Sequence, residues 1–240
     1  MSNLDPVNLM LSNGFDFWQR KYYVGNSTFG TAIQLGAHDT IAVATEGCLT
    51  IVNTASSTGS TNRNTIISPL YIKLIPTVAD GATSLFFEAN TDVVDRYSTG
   101  GTQITMASTF VDSDTANNAR PTAVSEVYFG DLTLAAATSE AKAGVVQVRP
   151  AGSVAGTVVG DEILITFGGY RNSSGGMSST VSATTGLNNA RGMIKSLPPV
   201  FIGTGCSWYL QPFGAAGSAT TAAFEVEVGV VELWHDPKRA

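Results

Sequence analysis

Few side chains in this 240-residue chain have the chemistry of a catalytic group. The two histidines, His38 and His235, each precede an aspartate, and neighbouring residues of an extended strand point to opposite faces. Sequence alone therefore places neither pair as the base and orienting group that nucleophilic catalysis requires. A dyad between Cys48 and His38 has no local sequence signature. We predict that the protein is not an enzyme and has no catalytic residues.

Metal and nucleotide binding are not indicated by the remaining polar clusters. Asp112 and Asp114 supply oxygen atoms of the kind that bind calcium, but their spacing matches no calcium-loop pattern. The glycine-rich stretch Gly168–Gly186 lacks the Gly-Lys-Ser/Thr ending of a phosphate-binding loop. We therefore predict no metal site and no cofactor. A loop with a local ion pair is predicted at Asp92, Asp95 and Arg96.

The composition favours contacts with other proteins. Charged residues make up only 13% of the chain, against about 25% in average proteins, and Ser, Thr, Asn and Gly supply the polarity instead. The formal net charge is −6 and there is no basic run, so nucleic acid is not an expected partner. The first ten residues have neither a basic region nor a long apolar run, so we expect no signal peptide and no membrane span. The two cysteines do not define a disulfide framework.

The stretch Ala223–Leu233 has the strongest structural pattern. Its apolar residues alternate with Glu225 and Glu227, which is typical of a half-buried strand. The alternation ends at Gly229, where either both faces are covered or a bulge resets the register. The predicted core residues are Trp208, Phe224, Val226 and Val228.

The chain contains about ten short strand-like runs, this stretch included, and they are separated by Gly, Pro, Asn and Ser. They predict an all-β fold: a single antiparallel β-sandwich of jelly-roll type. We expect one sandwich domain over residues 24–240, preceded by an N-terminal segment, residues 1–23, that contains the first strand. Pro69 indicates an edge position or a bulge. Asp131–Ala143 is predicted to be a short helix or a covering loop, and Asn188–Leu197 a short helix.

Three segments resemble structural proteins of tailed-bacteriophage virions. They are NLMLSNGFDFWQR (Asn8–Arg20), VVGDEILITFGG (Val158–Gly169) and PPVFIGTGCSWYLQPFG (Pro198–Gly214), followed by the acidic alternating strand FEVEVGVVEL. The resemblance implies a virion protein. Because the chain shows no collagen-like or coiled-coil shaft, a head decoration, or cement, protein fits better than a long fibre. Such proteins commonly form trimers on the capsid.

The resulting hypothesis is a capsid decoration protein, made in the host cytoplasm and located on the capsid surface. Its partners would be the major capsid protein and two further copies of itself. The candidate interface residues are Phe15, Phe17, Trp18, Arg20, Tyr22 and Tyr23. The alternative is a receptor- or carbohydrate-binding fibre protein, and a glycan-active enzyme of the same fold is a third hypothesis. The aromatic residues that could stack on sugars are Trp18, Tyr22, Tyr23, Trp208 and Tyr209.

Overall fold

A computed structural model describes residues 15–28, 33–34, 46–55, 65–78, 85–110, 123–149, 162–168, 193–214 and 223–235. These residues form an all-β structure, and none of them is helical. Accordingly, no helix able to cross a membrane occurs among them. The strands are β1 (Phe15–Thr28), β2 (Ile33–Gln34), β3 (Glu46–Asn53), β4 (Thr65–Val78), β5 (Leu85–Asp92), β6 (Tyr97–Gln103), β7 (Met106–Phe110), β8 (Ser125–Leu134), β9 (Ala141–Arg149), β10 (Ile163–Phe167), β11 (Met193–Leu197), β12 (Ser207–Gly214) and β13 (Ala223–His235).

The strands form two sheets. Sheet 1 has the order β11-β10-β4-β13-β1-β7, and sheet 2 has the order β6-β8-β3-β12-β5-β9, with β2 beside β12. Most neighbouring strands are antiparallel, but β10 and β11 are parallel, as are β12 and β2. The expectation of purely antiparallel sheets is therefore wrong at these two pairs. A parallel pair needs a long connection, and residues 168–192 separate β10 from β11 in the sequence.

One hydrophobic core receives side chains from both sheets. Phe224 of sheet 1 meets Phe129 of sheet 2 edge to face, with ring centroids 6.5 Å apart. Phe167 of sheet 1 meets Trp208 of sheet 2 in the same way, at 5.3 Å. Such T-shaped pairs add to the free energy gained from burial itself. The side chains of Trp208, Phe224, Val226 and Val228 are all fully buried in this core.

Strand β13 lies between β1 and β4 in the middle of sheet 1. Its pairing with β4 shifts register between Gly229 and Val230, and Pro69 is the β4 residue opposite Val230. Pro69 therefore marks a bulge and not an edge strand. Beyond the bulge Val231, Glu232 and Leu233 are all buried, so both faces of β13 are covered there as well.

Several local predictions differ from the structure. The stretch Asp131–Ala143 is not helical: β8 continues to Leu134 and β9 starts at Ala141, leaving residues 135–140 as a loop. The described end of Asn188–Leu197 is strand β11. In both places strand pairing outweighs local helix propensity, which is a weak determinant. The expected boundary at residue 23 falls inside β1, which runs from Phe15 to Thr28.

Candidate functional site

The predicted interface residues on β1 divide between the two faces of sheet 1. Arg20 and Tyr22 point into the protein and are only 2% and 3% exposed. Trp18 is half-buried, with the Arg20 guanidinium 5.9 Å from its ring centre. Tyr23 points the other way and is exposed. Phe15 and Phe17 pair with β13 through their backbones, and their side chains lie outside the described part of the structure.

Arg20 belongs to a buried ion pair between β1 and β13. Its Nε and Nη2 atoms each lie 3.2 Å from Glu232 Oε2. The other carboxylate oxygen, Oε1, accepts hydrogen bonds from the backbone N–H groups of Val124 and Ser125, both at 2.9 Å, and from Ser125 Oγ at 2.6 Å. Both oxygens of a fully buried carboxylate are thus satisfied, as burial of a charge requires.

This cluster connects the two sheets, because Glu232 is in sheet 1 and Ser125 begins β8 of sheet 2. The Tyr22 hydroxyl also reaches Ser125, donating to its backbone carbonyl at 2.6 Å. Burial raises the pKa of Tyr22 to about 12, so the phenol keeps its proton at neutral pH. Arg20 and Tyr22 therefore hold the fold together from within, and neither presents its side chain to a partner.

The opposite side of sheet 1 carries an ordered polar surface, which we call the Tyr23 face. Tyr23 donates its hydroxyl proton to Glu225, and Tyr71 donates to Glu227 at 2.7 Å. Lys21 Nζ lies 2.6 Å from a Glu227 carboxylate oxygen. These contacts cross from β1 to β13 and from β4 to β13, as cross-strand side-chain pairs do. The Tyr23 face consists of Lys21, Tyr23, Tyr71, Lys73, Glu225 and Glu227.

The two carboxylates of the Tyr23 face are already bonded within the chain. Burial acts to raise the pKa of Glu227, but the bonds from Lys21 and Tyr71 outweigh it, and the pKa is lowered. The pKa of Tyr23 is raised, chiefly because its hydroxyl donates to Glu225. At neutral pH Glu227 is therefore ionised and Tyr23 keeps its proton.

A second ionic cluster lies on sheet 2, on the side away from the core. Arg96 is fully buried and donates to Ala135 O at 2.6 Å, to Glu140 at 2.9 Å and to the Tyr209 hydroxyl at 3.0 Å. It also pairs with Asp92 at 3.4 Å, the local ion pair that the sequence predicts. The contribution of Glu140 was not predicted, since nothing in the sequence links residues so far apart.

This cluster fixes the loop of residues 135–140 over sheet 2. Asp92 accepts from the backbone N–H groups of Thr138 and Ser139, both at 2.9 Å. Burial acts to raise the pKa of Asp92, but these bonds and the bond from Arg96 outweigh it and lower the pKa. The covering-loop interpretation of this segment therefore holds for residues 135–140, and the cluster's chemistry is that of a structural clamp.

The reactive residue types are placed as follows. Cys48 is buried, and burial raises the pKa of its thiol well above the usual range. Cys206 is half-buried and also unpaired, and its thiol pKa is raised by burial. Among the described residues, no group of three or more His, Cys, Asp or Glu side chains could hold a metal ion. Among the residues considered for chemistry, His38, Asp112, Asp114 and residues 169–186 lie outside the described part, and so does the side chain of His235.

The aromatic residues considered for sugar stacking are not equally available. Tyr22, Trp208 and Tyr209 are buried, and Trp18 is half-buried. Only Tyr23 of these five is exposed, and its hydroxyl is engaged by Glu225.

No protein-family model matches the chain, and neither a curated protein nor a solved structure matches it significantly. A functional assignment therefore has to be argued from the residues themselves.

Proposed function

We infer that the two sheets form a jelly roll. Eight strands carry this inference: β1, β3, β4, β5, β9, β10, β12 and β13. In sheet 1 four of them lie side by side in the order β1, β13, β4 and β10, and in sheet 2 the other four lie in the order β3, β12, β5 and β9. If the eight strands are numbered 1 to 8 along the chain, these orders are 1-8-3-6 and 2-7-4-5. Jelly rolls are built from eight strands in two sheets, and they recur in viral capsid and lectin domains. Of the other described strands, β6, β7, β8 and β11 extend the edges of the two sheets, and β2 pairs with β12.

We propose that the protein is a bacteriophage capsid decoration protein that binds the assembled head shell and stabilises it. The observation that supports this most is the Tyr23 face. It is a partly exposed side of sheet 1, formed by β1, β4 and β13, and its two carboxylates are bonded to neighbouring side chains before any partner arrives. Pre-paired charges cost less to desolvate at an interface than unpaired ones. Cross-strand bonding also fixes the side chains, which lowers the entropy lost on binding.

We further propose that three copies assemble on the shell, with the Tyr23 face directed to the major capsid protein. Tyrosine is a frequent anchor of protein interfaces because it contributes a large rigid area and a hydrogen-bonding hydroxyl. A protein that binds only the assembled shell stabilises it by mass action. The charge-poor composition agrees with extensive protein contact. Assignment to a phage virion rests on the resemblance of the three sequence segments described above.

The interface is tested with purified protein and with capsids prepared without it. Wild-type protein is expected to cosediment with these capsids at saturating stoichiometry. The Tyr23→Ala variant should bind about tenfold more weakly or worse, a loss of roughly 1.4 kcal/mol or more that is typical of an interface anchor.

Phe201→Ala is the matched control, because Phe201 is an exposed aromatic residue outside the Tyr23 face. Equal binding by Tyr23→Ala and wild type would contradict the proposed surface. Failure of the wild-type protein to bind the capsids would contradict the decoration function itself.

A further inference from the structure

Two stacked tyrosine rings lie on sheet 2, on the side away from the core. On β8, Val127 and Phe129 point into the core, so Glu126 and Tyr128 point outward. The ring of Tyr97, on the edge strand β6, stacks on the Tyr128 ring, with the ring centroids 3.7 Å apart and the planes 13° from parallel. Both tyrosines and Glu126 are partly exposed, so a ligand can reach all three side chains from solvent.

Hydrogen bonds fix both rings in place. The Tyr128 hydroxyl donates to Glu126 Oε2, so the carboxylate lies at the hydroxyl end of that ring. The Tyr97 hydroxyl donates to the backbone carbonyl of Gly100 at 3.2 Å, and the Tyr97 backbone N–H donates to Asp95 Oδ1 at 2.8 Å. Side chains that are fixed in this way lose little entropy when a ligand binds. We call Asp95, Tyr97, Glu126 and Tyr128 the tyrosine platform.

The negative charge of the platform is not offset by a cation on its own strands. Neither β6 nor β8 contains a lysine, arginine or histidine. Glu126 Oε1 has no hydrogen-bond or ion-pair partner among the described residues and is not one of their buried atoms, whereas Glu227 and Glu232 of sheet 1 are each paired with a cation. Partial desolvation and the charge of Glu126 raise the pKa of Asp95, as expected of two carboxylates that repel each other. A cation from outside would relieve this repulsion.

An aromatic surface beside an unpaired carboxylate favours one kind of cation. The face of a tyrosine ring is negative and attracts positive charge. A guanidinium is flat and weakly hydrated, so it stacks on a ring while one of its N–H groups donates to a carboxylate. An ammonium is compact and strongly hydrated and stacks less well. The neutral hydroxyl groups of a saccharide would leave the charge of Glu126 without a counter-charge.

We propose that the tyrosine platform binds an arginine side chain exposed on a partner protein. The guanidinium stacks against the solvent-facing side of the ring pair and donates to Glu126 Oε1, and Asp95 adds a second negative charge nearby. A partly exposed charge pair contributes only modestly, so the platform is one docking point within a larger contact. The platform and the Tyr23 face belong to different sheets, so this inference does not depend on the proposed shell binding.

The test uses the full-length protein with isotope-labelled tyrosines and three peptides of the form acetyl-Gly-X-Gly-amide, where X is arginine, lysine or citrulline. Citrulline has the shape of arginine without its charge. NMR titration follows the ring resonances of Tyr97 and Tyr128. The arginine peptide should shift them in a saturable manner and should bind more tightly than either of the other two. The absence of a saturable shift, or equal binding by the lysine or citrulline peptide, would overturn the proposal.

Matched variants then locate the binding. Glu126→Gln keeps an acceptor for the Tyr128 hydroxyl but loses the charge, so it should bind the arginine peptide about fivefold more weakly. Asp131→Asn removes the same charge from an exposed position of the same strand and should bind nearly as wild type does, because solvent screens that charge. Equal binding by the two variants would overturn the assignment. If Glu126→Gln does not fold, the three peptides on the wild-type protein decide the question.

A second copy of this chain is the competing source of the arginine. Sedimentation velocity compares the wild-type protein with Glu126→Gln in the absence of peptide. The same oligomeric state for both supports a separate partner protein. A lower oligomeric state for the variant would assign the arginine to a second copy and would overturn the proposed partner.

Discussion

Replacing Glu232 by glutamine should destabilise the protein far more than its single-atom change suggests. The Glu232 side chain is fully buried, and Oε2 lies 3.2 Å from both Nε and Nη2 of Arg20. Glutamine keeps a carbonyl oxygen for the N–H groups of Val124 and Ser125. Its amino group, however, would then face two N–H donors of Arg20, and the buried guanidinium would lose the negative charge of Glu232.

The expected loss follows from the cost of removing one charge of a buried ion pair. Breaking a buried ion pair by removing one partner costs about 3–5 kcal/mol. We expect the lower end, about 3 kcal/mol, because the bonds to the two backbone amides survive the change. For a chain of this length that corresponds to a fall in Tm of roughly 6–12 °C.

Urea unfolding at neutral pH, followed by circular dichroism and tryptophan fluorescence, measures the effect. Glu162→Gln is the matched control, because Glu162 pairs with Lys73 at 3.1 Å but both side chains are about a third or more exposed. Such a surface pair is worth about 0–1 kcal/mol. A loss below about 1 kcal/mol for Glu232→Gln, no greater than that of the control, would refute the conclusion that the buried Arg20–Glu232 pair stabilises the fold.

Two further predictions concern the Tyr23 side of sheet 1. Gly229→Ala should lower the free energy of unfolding in urea by about 1–3 kcal/mol, because a Cβ atom there would lie 2.3 Å from the Tyr71 ring. Gly203→Ala is the control and should be nearly neutral, because its Cβ atom would meet only ordinary contacts. Equal stabilities of the two variants would contradict the close packing at Gly229. Because the pKa of Glu227 is lowered in the folded protein, its pairing with Lys21 stabilises the fold above the ordinary carboxyl pKa and is lost as the pH falls through the lowered value. Stability measured from about pH 6 to about pH 3 should therefore fall less steeply for Glu227→Gln than for wild type, and identical slopes would contradict this.

Period-two patterning was the most informative property of the sequence. The alternation of Phe224, Val226 and Val228 with two glutamates predicted a strand with one buried face, and these three residues are in the core. The sequence left open whether the pattern changes at Gly229 because of a bulge or because both faces are covered. The structure contains both, a register shift at Gly229 and two covered faces beyond it. Local patterns of this kind depend on neighbouring residues only, so sequence reasoning detects them.

The side on which a polar residue lies could not be inferred in the same way. Arg20 and Tyr22 resembled interface residues, yet they point inward because Glu232 and Ser125, each more than 100 residues away, supply their partners. Arg96 likewise depends on Glu140 from the loop of residues 135–140 and on Tyr209 from β12. Long-range partners determine whether a charge is buried or exposed, and a single sequence does not specify those partners.

The parallel pairing of β10 with β11 was missed for a related reason. The stretch containing Met193–Leu197 was interpreted as helical from its local composition. It pairs in parallel with Ile163–Phe167, a segment many residues earlier in the chain. Local composition does not encode a pairing between segments so far apart in sequence.

The proposed decoration function implies that a phage encodes this protein, and it is tested most directly on particles of such a phage from which the protein has been deleted. Release of DNA on heating and adsorption to host cells are measured on the same preparation. If the protein stabilises the shell, deletion particles assemble and adsorb normally but release their DNA at a lower temperature, and added wild-type protein restores their heat resistance. Unchanged heat resistance together with lost adsorption would contradict the decoration function and would support the receptor-binding alternative.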